Sequence, residues 1–306
     1  MKKYIIKIAV FFVVVLFIDQ SIGMICDFLN AHAKGGYTKK VYYTTSLCNE
    51  DVIIMGSSRA NHHYNPDIIS DSLGLNAYNA GIDGSGIILM KGFYELMCRH
   101  HIPKFIIYDV TQSFDIYEYA GDSKNTRYLS QLKPYFRESS VKSIVKDVSP
   151  IDNLLLYSGC YRFNTSCINL IKNYLKKDAM MDNGFSPLFG SMNYKVENKA
   201  NEYVSTNIDS LKMRYMSEFI DECNSKGTQL ILVVSPQLGG DVDSFNPIFE
   251  LAKQKNITLF DFYHDEGVCH KKYFKDTMHL NLEGANLFSS LVAMRIIKLK
   301  KLKLSQ

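Results

Sequence analysis

Five strand-like segments, Asp51–Met55, Asn76–Asn79, Lys104–Val110, Gln229–Val234 and Ile257–Asp261, alternate with helical stretches, and this alternation constrains the fold more than any other feature. Runs such as Val52-Ile-Ile-Met55 and Leu230-Ile-Leu-Val-Val234 are apolar throughout rather than every second residue, which is the mark of strands buried on both faces of a parallel sheet. Helices are predicted over Pro66–Leu73, Ile87–His100, Ile208–Cys223, Pro247–Gln254 and Gly284–Leu299. In the second of these Leu89, Phe93, Leu96 and Met97 share one face, and Gly227 suits the residue after the third. Right-handed strand–helix–strand crossovers then give a flavodoxin-like three-layer α/β/α sandwich with a five-stranded parallel sheet. In such a sheet the functional site lies beyond the carboxyl ends of the strands.

The first residues point elsewhere. Lys2, Lys3 and Lys7 introduce an apolar run from Tyr4 to Ile18, shorter than the roughly 20 residues a bilayer needs unless Asp19 and Gln20 snorkel and Ile22–Phe28 extend it. A signal anchor and a cleavable signal peptide both fit. The anchor is favoured, because the small-x-small site Ala31-His-Ala33 lies far past the apolar run, and residues 1–29 are assigned to it. Retention of the lysines in the cytoplasm would put the remainder on the periplasmic or extracellular side of the inner membrane, with membrane lipid as the partner of the helix. Residues 30–49 read as a polar connector and residues 50–306 as one α/β domain.

From about 111 to 205 the alternation dissolves into a Tyr-, Asn-, Ser- and Lys-rich stretch with short helical periods at Val141–Val145, Ile151–Tyr157 and Ile168–Tyr174. A structureless loop of that length is uncommon inside a compact domain, so the stretch is expected to be an insertion, a lid or a substrate-binding cap. Tyr117, Tyr119, Tyr128 and Tyr135 within it are placed either to stack on sugar rings or, by default, to be buried.

A formal charge of +4 over 306 residues, with no basic stripe among exposed aromatics, argues against nucleic acid. The tail Lys298-Leu-Lys-Lys-Leu-Lys303 reads as a solvated helix end, with attraction to an anionic surface as the lesser alternative. Seven cysteines lack both C-x-x-C and zinc-finger spacing with histidine, so no metal site, cofactor or redox function is expected.

Two segments carry chemistry. Gly56-Ser57-Ser58-Arg59 follows the first strand, and Asp276-Thr-Met-His279 follows the last. A serine hydroxyl is a weak nucleophile near neutral pH and needs a base, itself held in one tautomer by a third group. Ser58, His279 and Asp276 supply those three groups. Arg59 has three readings, a pair with Asp83, a contact to an anionic substrate, or a structural salt bridge, of which the last is favoured. His62 and His63 read as surface or turn residues rather than a metal pair.

These motifs, with two more, resemble the SGNH (GDSL-like) hydrolase superfamily in ordered blocks covering most of residues 50–110 and 206–297. Gly56-Ser57-Ser58 is similar to the Gly-Asp-Ser block with Ser for Asp, which implies Ser58 as nucleophile. Asn79-Ala-Gly-Ile-Asp-Gly84 is similar to N-x-x-x-x-G, which implies that the Gly84 N–H, with that of Ser58, faces an oxyanion. Asp276-x-x-His279 resembles the final block.

The third block departs. Where the family commonly has Gly-x-Asn-Asp the chain has Thr111-Gln-Ser-Phe-Asp115, leaving Gln112 or Ser113 as substitute oxyanion donors. Loss of one such donor costs about 2.7–4 kcal/mol in the transition state. Membrane-anchored members that move acyl groups in the cell envelope are the most similar type. The resemblance therefore implies an exported serine esterase or O-acyltransferase acting on ester-linked acyl groups, acetyl by preference, of an envelope glycan or small ester, alongside a multi-pass membrane acyltransferase. A catalytically weak SGNH-fold scaffold of the envelope is the alternative.

Overall fold

The computed structural model describes residues 1–119, 125–176, 183–192 and 204–304. The parts of the expected insertion at 120–124, 177–182 and 193–203 lie outside the described residues. The chain forms two compact units, Met1–Tyr43 with Lys124–Ala179, and Thr44–Ser123 with Met180–Gln306. The expected insertion is thus divided. Its middle groups with the N-terminal helix, and its two ends belong to the sheet unit.

In the first unit α1 (Lys2–Ala31) is a single 30-residue helix, long and apolar enough to cross a membrane. It does not stop at Asp19, because that carboxylate takes hydrogen bonds from Ser158 Oγ and the N–H groups of Gly159 and Cys160. The expected connector is largely helical too, as α2 (Gly36–Ser46).

The second unit opens with β1 (Val52–Gly56), α3 (Ser58–His63), α4 (Pro66–Leu73), β2 (Ala77–Asn79), α5 (Ile87–Met97), β3 (Phe105–Asp109) and β4 (Tyr117–Tyr119). The first unit resumes with α6 (Ser139–Val148), α7 (Asp152–Leu155), α8 (Gly159–Phe163) and α9 (Cys167–Leu175). The sheet unit then continues through β5 (Val204–Ile208), α10 (Ser210–Lys226), β6 (Gln229–Val234), α11 (Asn246–Gln254), β7 (Thr258–Asp261) and α12 (Leu282–Leu304).

The main sheet has the order β2-β1-β3-β6-β7, with every neighbour parallel, as in flavodoxin-like folds. The three central strands β1, β3 and β6 are buried on both faces, as their unbroken apolar runs require, whereas the edge strand β7 is only half-buried. Val52, Ile54, Ile107, Ile231 and Val233 pack with Ile69 of α4 and with Phe288, Val292 and Ile296 of α12. On strands β1 and β3 the alternate residues point the other way, where Tyr108 lies 5.7 Å from Phe219 of α10 and Phe219 in turn meets Tyr94 of α5 edge-on. Each such buried aliphatic or aromatic side chain contributes about 1.5–3 kcal/mol relative to exposure.

Local sequence sets the ends. Asn65 caps α4 by accepting from Asp67 N, Pro66 follows at the first turn, and Gly74 closes it at φ +65°. Ile208, expected to begin a helix, instead ends β5, which pairs antiparallel with β4. The helix starts two residues later because the Asp209 carboxylate accepts from Leu211 N and Lys212 N, and it stops at Gly227 as its composition requires.

Candidate active site

The turn after β1 is built for close approach. Gly56 has φ +136°, and a Cβ there would lie 2.6 Å from the Asp109 carbonyl oxygen on β3. Only glycine allows both. Ser57 then becomes the N-cap of α3, with its hydroxyl buried and without a partner among the described residues. Ser58, the first residue of α3, stays partly exposed. Its Oγ lies 2.8 Å from Nε2 of His279.

His279 stands in a tight loop between β7 and α12, in which Lys275 N bonds the His279 carbonyl and Phe274 bridges Leu280. Asp276 organises this loop. One carboxylate oxygen accepts from Met278 N and His279 N at 2.8 and 2.9 Å, and both oxygens lie 2.9–3.0 Å from Nδ1 of the same histidine. A carboxylate only accepts, so the ring proton belongs on Nδ1 and Nε2 offers its lone pair to the serine hydroxyl. Burial alone would raise the Asp276 carboxyl, but the His279 hydrogen bond and the two backbone donors hold it below its ordinary value.

The neighbouring histidines are not the surface residues their sequence position suggested. His63 is fully buried, and its Nε2 accepts the backbone N–H of Leu280 at 3.0 Å. Burial first, then the nearby His279, Arg59 and His62, push its pKa well down, so the ring is neutral. His62 lies edge-on to His279 at 5.7 Å. Its Nδ1 faces the Ser186 carbonyl at 2.5 Å and its Nε2 faces Asp83 Oδ1 at 3.2 Å.

Asp83 also accepts from Asn61 Nδ2, so the loop after β2 is tied to α3. Asn79 strengthens that tie by donating to the carbonyls of Ala60 and Tyr64 while accepting from Gly81 N. Gly81 sits so near α3 that a Cβ would be 2.5 Å from Asn61 N. Gly84 follows at φ +66°, at the end of a segment whose Ile82 N donates to the Gly56 carbonyl.

Residues 183–192 run past both halves of the site. Asn79 N donates to the Asn183 carbonyl, Ser186 N to that of Asn61, Leu282 N to that of Leu188, and Met192 N to that of Phe274. Phe185 anchors this strap in the core, and Phe189 is 67% exposed. Nothing in the sequence marks Ser186 or Leu188 as neighbours of Ser58 or His279, since the pairing is through backbone groups that every residue has. Asn61 and His62 had one available signal, their place on the first turns of the helix that Ser58 begins.

Arg59 does not reach Asp83 or the solvent side. Its guanidinium is completely buried, with Nε 3.3 Å from Asp109 and further bonds to Gln237 Oε1 and the Val110 carbonyl. Successive residues of α3 point about 100° apart, so Arg59 turns away from the face that carries Ser58 and meets the carboxylate that β3 buries at Asp109. Of the three readings of Arg59, its burial against Asp109 matches the structural salt bridge and leaves no open face for a substrate. Tyr64 OH completes the group by donating to Asp109 Oδ2, and burial raises the Asp109 carboxyl against the pull of Arg59 and Tyr64.

The substitute oxyanion donors lie in a π-helical turn, Gln112–Ile116. Gln112 is buried and donates from its amide to Ser244 Oγ, while the Ser113 carbonyl accepts from the buried Lys212. The turn itself is held by Asp115, which accepts from Thr111 N, Tyr108 OH and Ile87 N. Of the expected tyrosines, Tyr128 is buried.

A partly exposed hydroxyl, a correctly polarised imidazole and an orienting carboxylate in one hydrogen-bonded line form the array that nucleophilic acyl chemistry requires. No protein-family model matches the chain, and no curated protein matches it in sequence. Solved structures similar to it include a GDSL-like lipase from Bacteroides thetaiotaomicron, 12% identical, covering 86% of this chain and 98% of that one with a TM-score of 0.41. A candidate acylhydrolase from Bacteroides fragilis is 13% identical, covering 85% and 95% with a TM-score of 0.41. A candidate lipolytic protein of the G-D-S-L family from Desulfitobacterium hafniense is 9% identical, covering 80% and 98% with a TM-score of 0.37.

Proposed function

We propose that the chain is an SGNH-type serine esterase or O-acyltransferase, anchored by α1, that acts on ester-linked acyl groups, acetyl by preference, of an envelope glycan on the outer side of the inner membrane. The single observation that carries the chemistry is the continuous line from Ser58 Oγ through His279 to Asp276. Ser58 Oγ attacks the ester carbonyl carbon as its proton passes to His279 Nε2, and the Asp276 carboxylate steadies the imidazolium. The carbonyl oxygen becomes an oxyanion, for which the N–H groups of Ser58 and Gly84 are the proposed donors. Collapse breaks the ester C–O bond, and His279 returns the proton to the leaving alcohol. The acyl-Ser58 ester is then cleaved by water in an esterase, or by a sugar hydroxyl in a transferase, with His279 again taking the proton. The glycan, the acetyl preference and a multi-pass acyltransferase as partner rest on the sequence resemblance.

A fluorophosphonate probe tests this reading. Labelling of the full chain that disappears in Ser58→Ala supports it. Supplying an acetyl ester with and without envelope oligosaccharide then separates the two outcomes, since acetylated sugar marks transfer and free acetate unaffected by glycan marks hydrolysis. A second reading, an SGNH-fold scaffold with little chemistry, is favoured by one observation: the third block has no asparagine and its Gln112 amide is engaged with Ser244. Absence of probe labelling in a folded protein would select it.

A further inference from the structure

We infer that the turn Ile151–Tyr157, at the start of the α7–α8 region, is a membrane-interface platform that beds into the lipid surface beside α1. The inference rests on α1 being embedded in a bilayer. Residues 2–18 of that helix are exposed on every side and, at 1.5 Å per residue, extend about 25 Å, against a hydrocarbon core of about 30 Å. The membrane boundary must therefore fall at or just beyond Asp19 and Gln20.

That is the level at which the helical segment 139–175 of the same unit is fastened. Gln20 Nε2 donates to the Tyr157 carbonyl, and Asp19 accepts from Ser158, Gly159 and Cys160. The seam is close, since a Cβ on Gly159 would lie 2.4 Å from the Asp19 carbonyl oxygen, and it is locked about two turns further along α1 by Arg162 and Asp27 at 2.9 Å. The turn that precedes this fastening cannot stand far from the lipid surface.

Its side chains are the wrong ones for water. Ile151, just before the four-residue helix α7, is 68% exposed and Leu154 within it 73%, with Leu155 and Tyr157 also open. Single exposed apolar residues need no explanation, but a cluster touching the end of a membrane span does. The surrounding polar groups match lipid headgroups. Lys142 donates to the Tyr157 hydroxyl at 2.8 Å, and the Lys133 ammonium lies 5.3 Å over the Tyr161 ring. Tyrosine bodies with lysine tips suit the interfacial layer. Residues 125–176 carry eight Lys or Arg against three Asp or Glu, a balance that draws an anionic leaflet.

The chain has no tryptophan, so one can be introduced as a unique probe. Full-length Leu154→Trp and Phe12→Trp would each be reconstituted in phosphatidylcholine–phosphatidylglycerol vesicles with lipids brominated near the headgroup or deep in the acyl chain. Both positions are exposed, so an indole displaces no packing. Phe12→Trp is expected to be quenched by the deep bromines and Leu154→Trp by the shallow ones. Quenching of Phe12→Trp with none at Leu154→Trp would overturn the platform while leaving the span intact. If that unquenched Trp were also shielded from acrylamide, a protein partner would cover the turn instead. Loss of quenching at both sites would remove the span and the platform together.

Discussion

Nε2 of His63 accepts the backbone N–H of Leu280 at 3.0 Å, which ties the helix that begins with Ser58 to the loop that carries His279. Each partner of the 2.8 Å Ser58–His279 hydrogen bond is therefore held by a second, buried contact one element deep. The geometry of the line does not depend on the flexible reach of two side chains alone.

His63 makes stability depend on pH with a definite sign. Its folded pKa lies well below the ordinary 6.5, by burial first, so below about pH 6.5 the unfolded chain binds a proton that the folded one refuses. The stabilisation is fully present above that pH and is lost as pH falls through the window down to the folded pKa. His63→Gln keeps an acceptor for Leu280 but does not titrate. Urea unfolding at about pH 7.5 and about pH 5 is expected to show a smaller loss of stability for the variant than for the parent chain. An equal loss in both would remove His63 as the cause.

Ser58→Ala is expected to lower acyl-ester turnover on the order of 10⁶-fold, and Asp276→Asn on the order of 10⁴-fold because the amide no longer fixes the ring tautomer. Ser57→Ala, which removes a buried hydroxyl that makes no bond to His279, is expected to keep most of the rate. Steady-state kinetics with a chromogenic acetyl ester distinguishes them, and comparable losses from either serine would refute the assignment of Ser58.

Asp109→Ala leaves Arg59 buried without its carboxylate, and breaking such a pair costs about 3–5 kcal/mol. The denaturation midpoint is expected to fall accordingly. Arg59→Met together with Asp109→Leu should recover much of that loss in stability, because neither charge then remains desolvated. A double variant no more stable than Asp109→Ala would count against a mainly electrostatic penalty.

Gly81→Ala is expected to reduce activity more than its single methyl suggests. The added carbon would lie 2.5 Å from Asn61 N, so α3 or the 80–85 loop must move, and Ser58 moves with α3. Gly74→Ala is the comparison, since a Cβ there meets nothing within 4 Å and the strain is only that of φ +65°. It should lower thermal stability modestly and leave kcat/KM unchanged. Equal kinetics in both variants would show that the loop has room to yield.

The apolar runs of the strands and the caps of the helices are local properties, and they were sufficient for the parallel sheet, its five strands and the end of α10 at Gly227. Ser58, Asp276 and His279 were legible for a related reason: the first stands at the end of a readable strand, and the other two are three residues apart in one loop. Where local pattern and long-range pairing competed, pairing won. Ile208 has helical neighbours but finds β4, and Asp19 interrupts an apolar run but finds the N–H groups of Gly159 and Cys160, so α1 continues.

What residue order determined by itself is the periodicity of burial and the identity of the reactive groups, because both are written in side-chain type within a few positions. Only the tertiary structure decided which side of α3 each neighbour of Ser58 faces. It sent Arg59 inward to Asp109, brought Leu280 to His63, and laid Ser186 across His62. Those partners are 50 to 217 positions apart, and a hydrogen bond or ion pair over such a separation has no local signature, since it exists only once the sheet has brought its strand ends together.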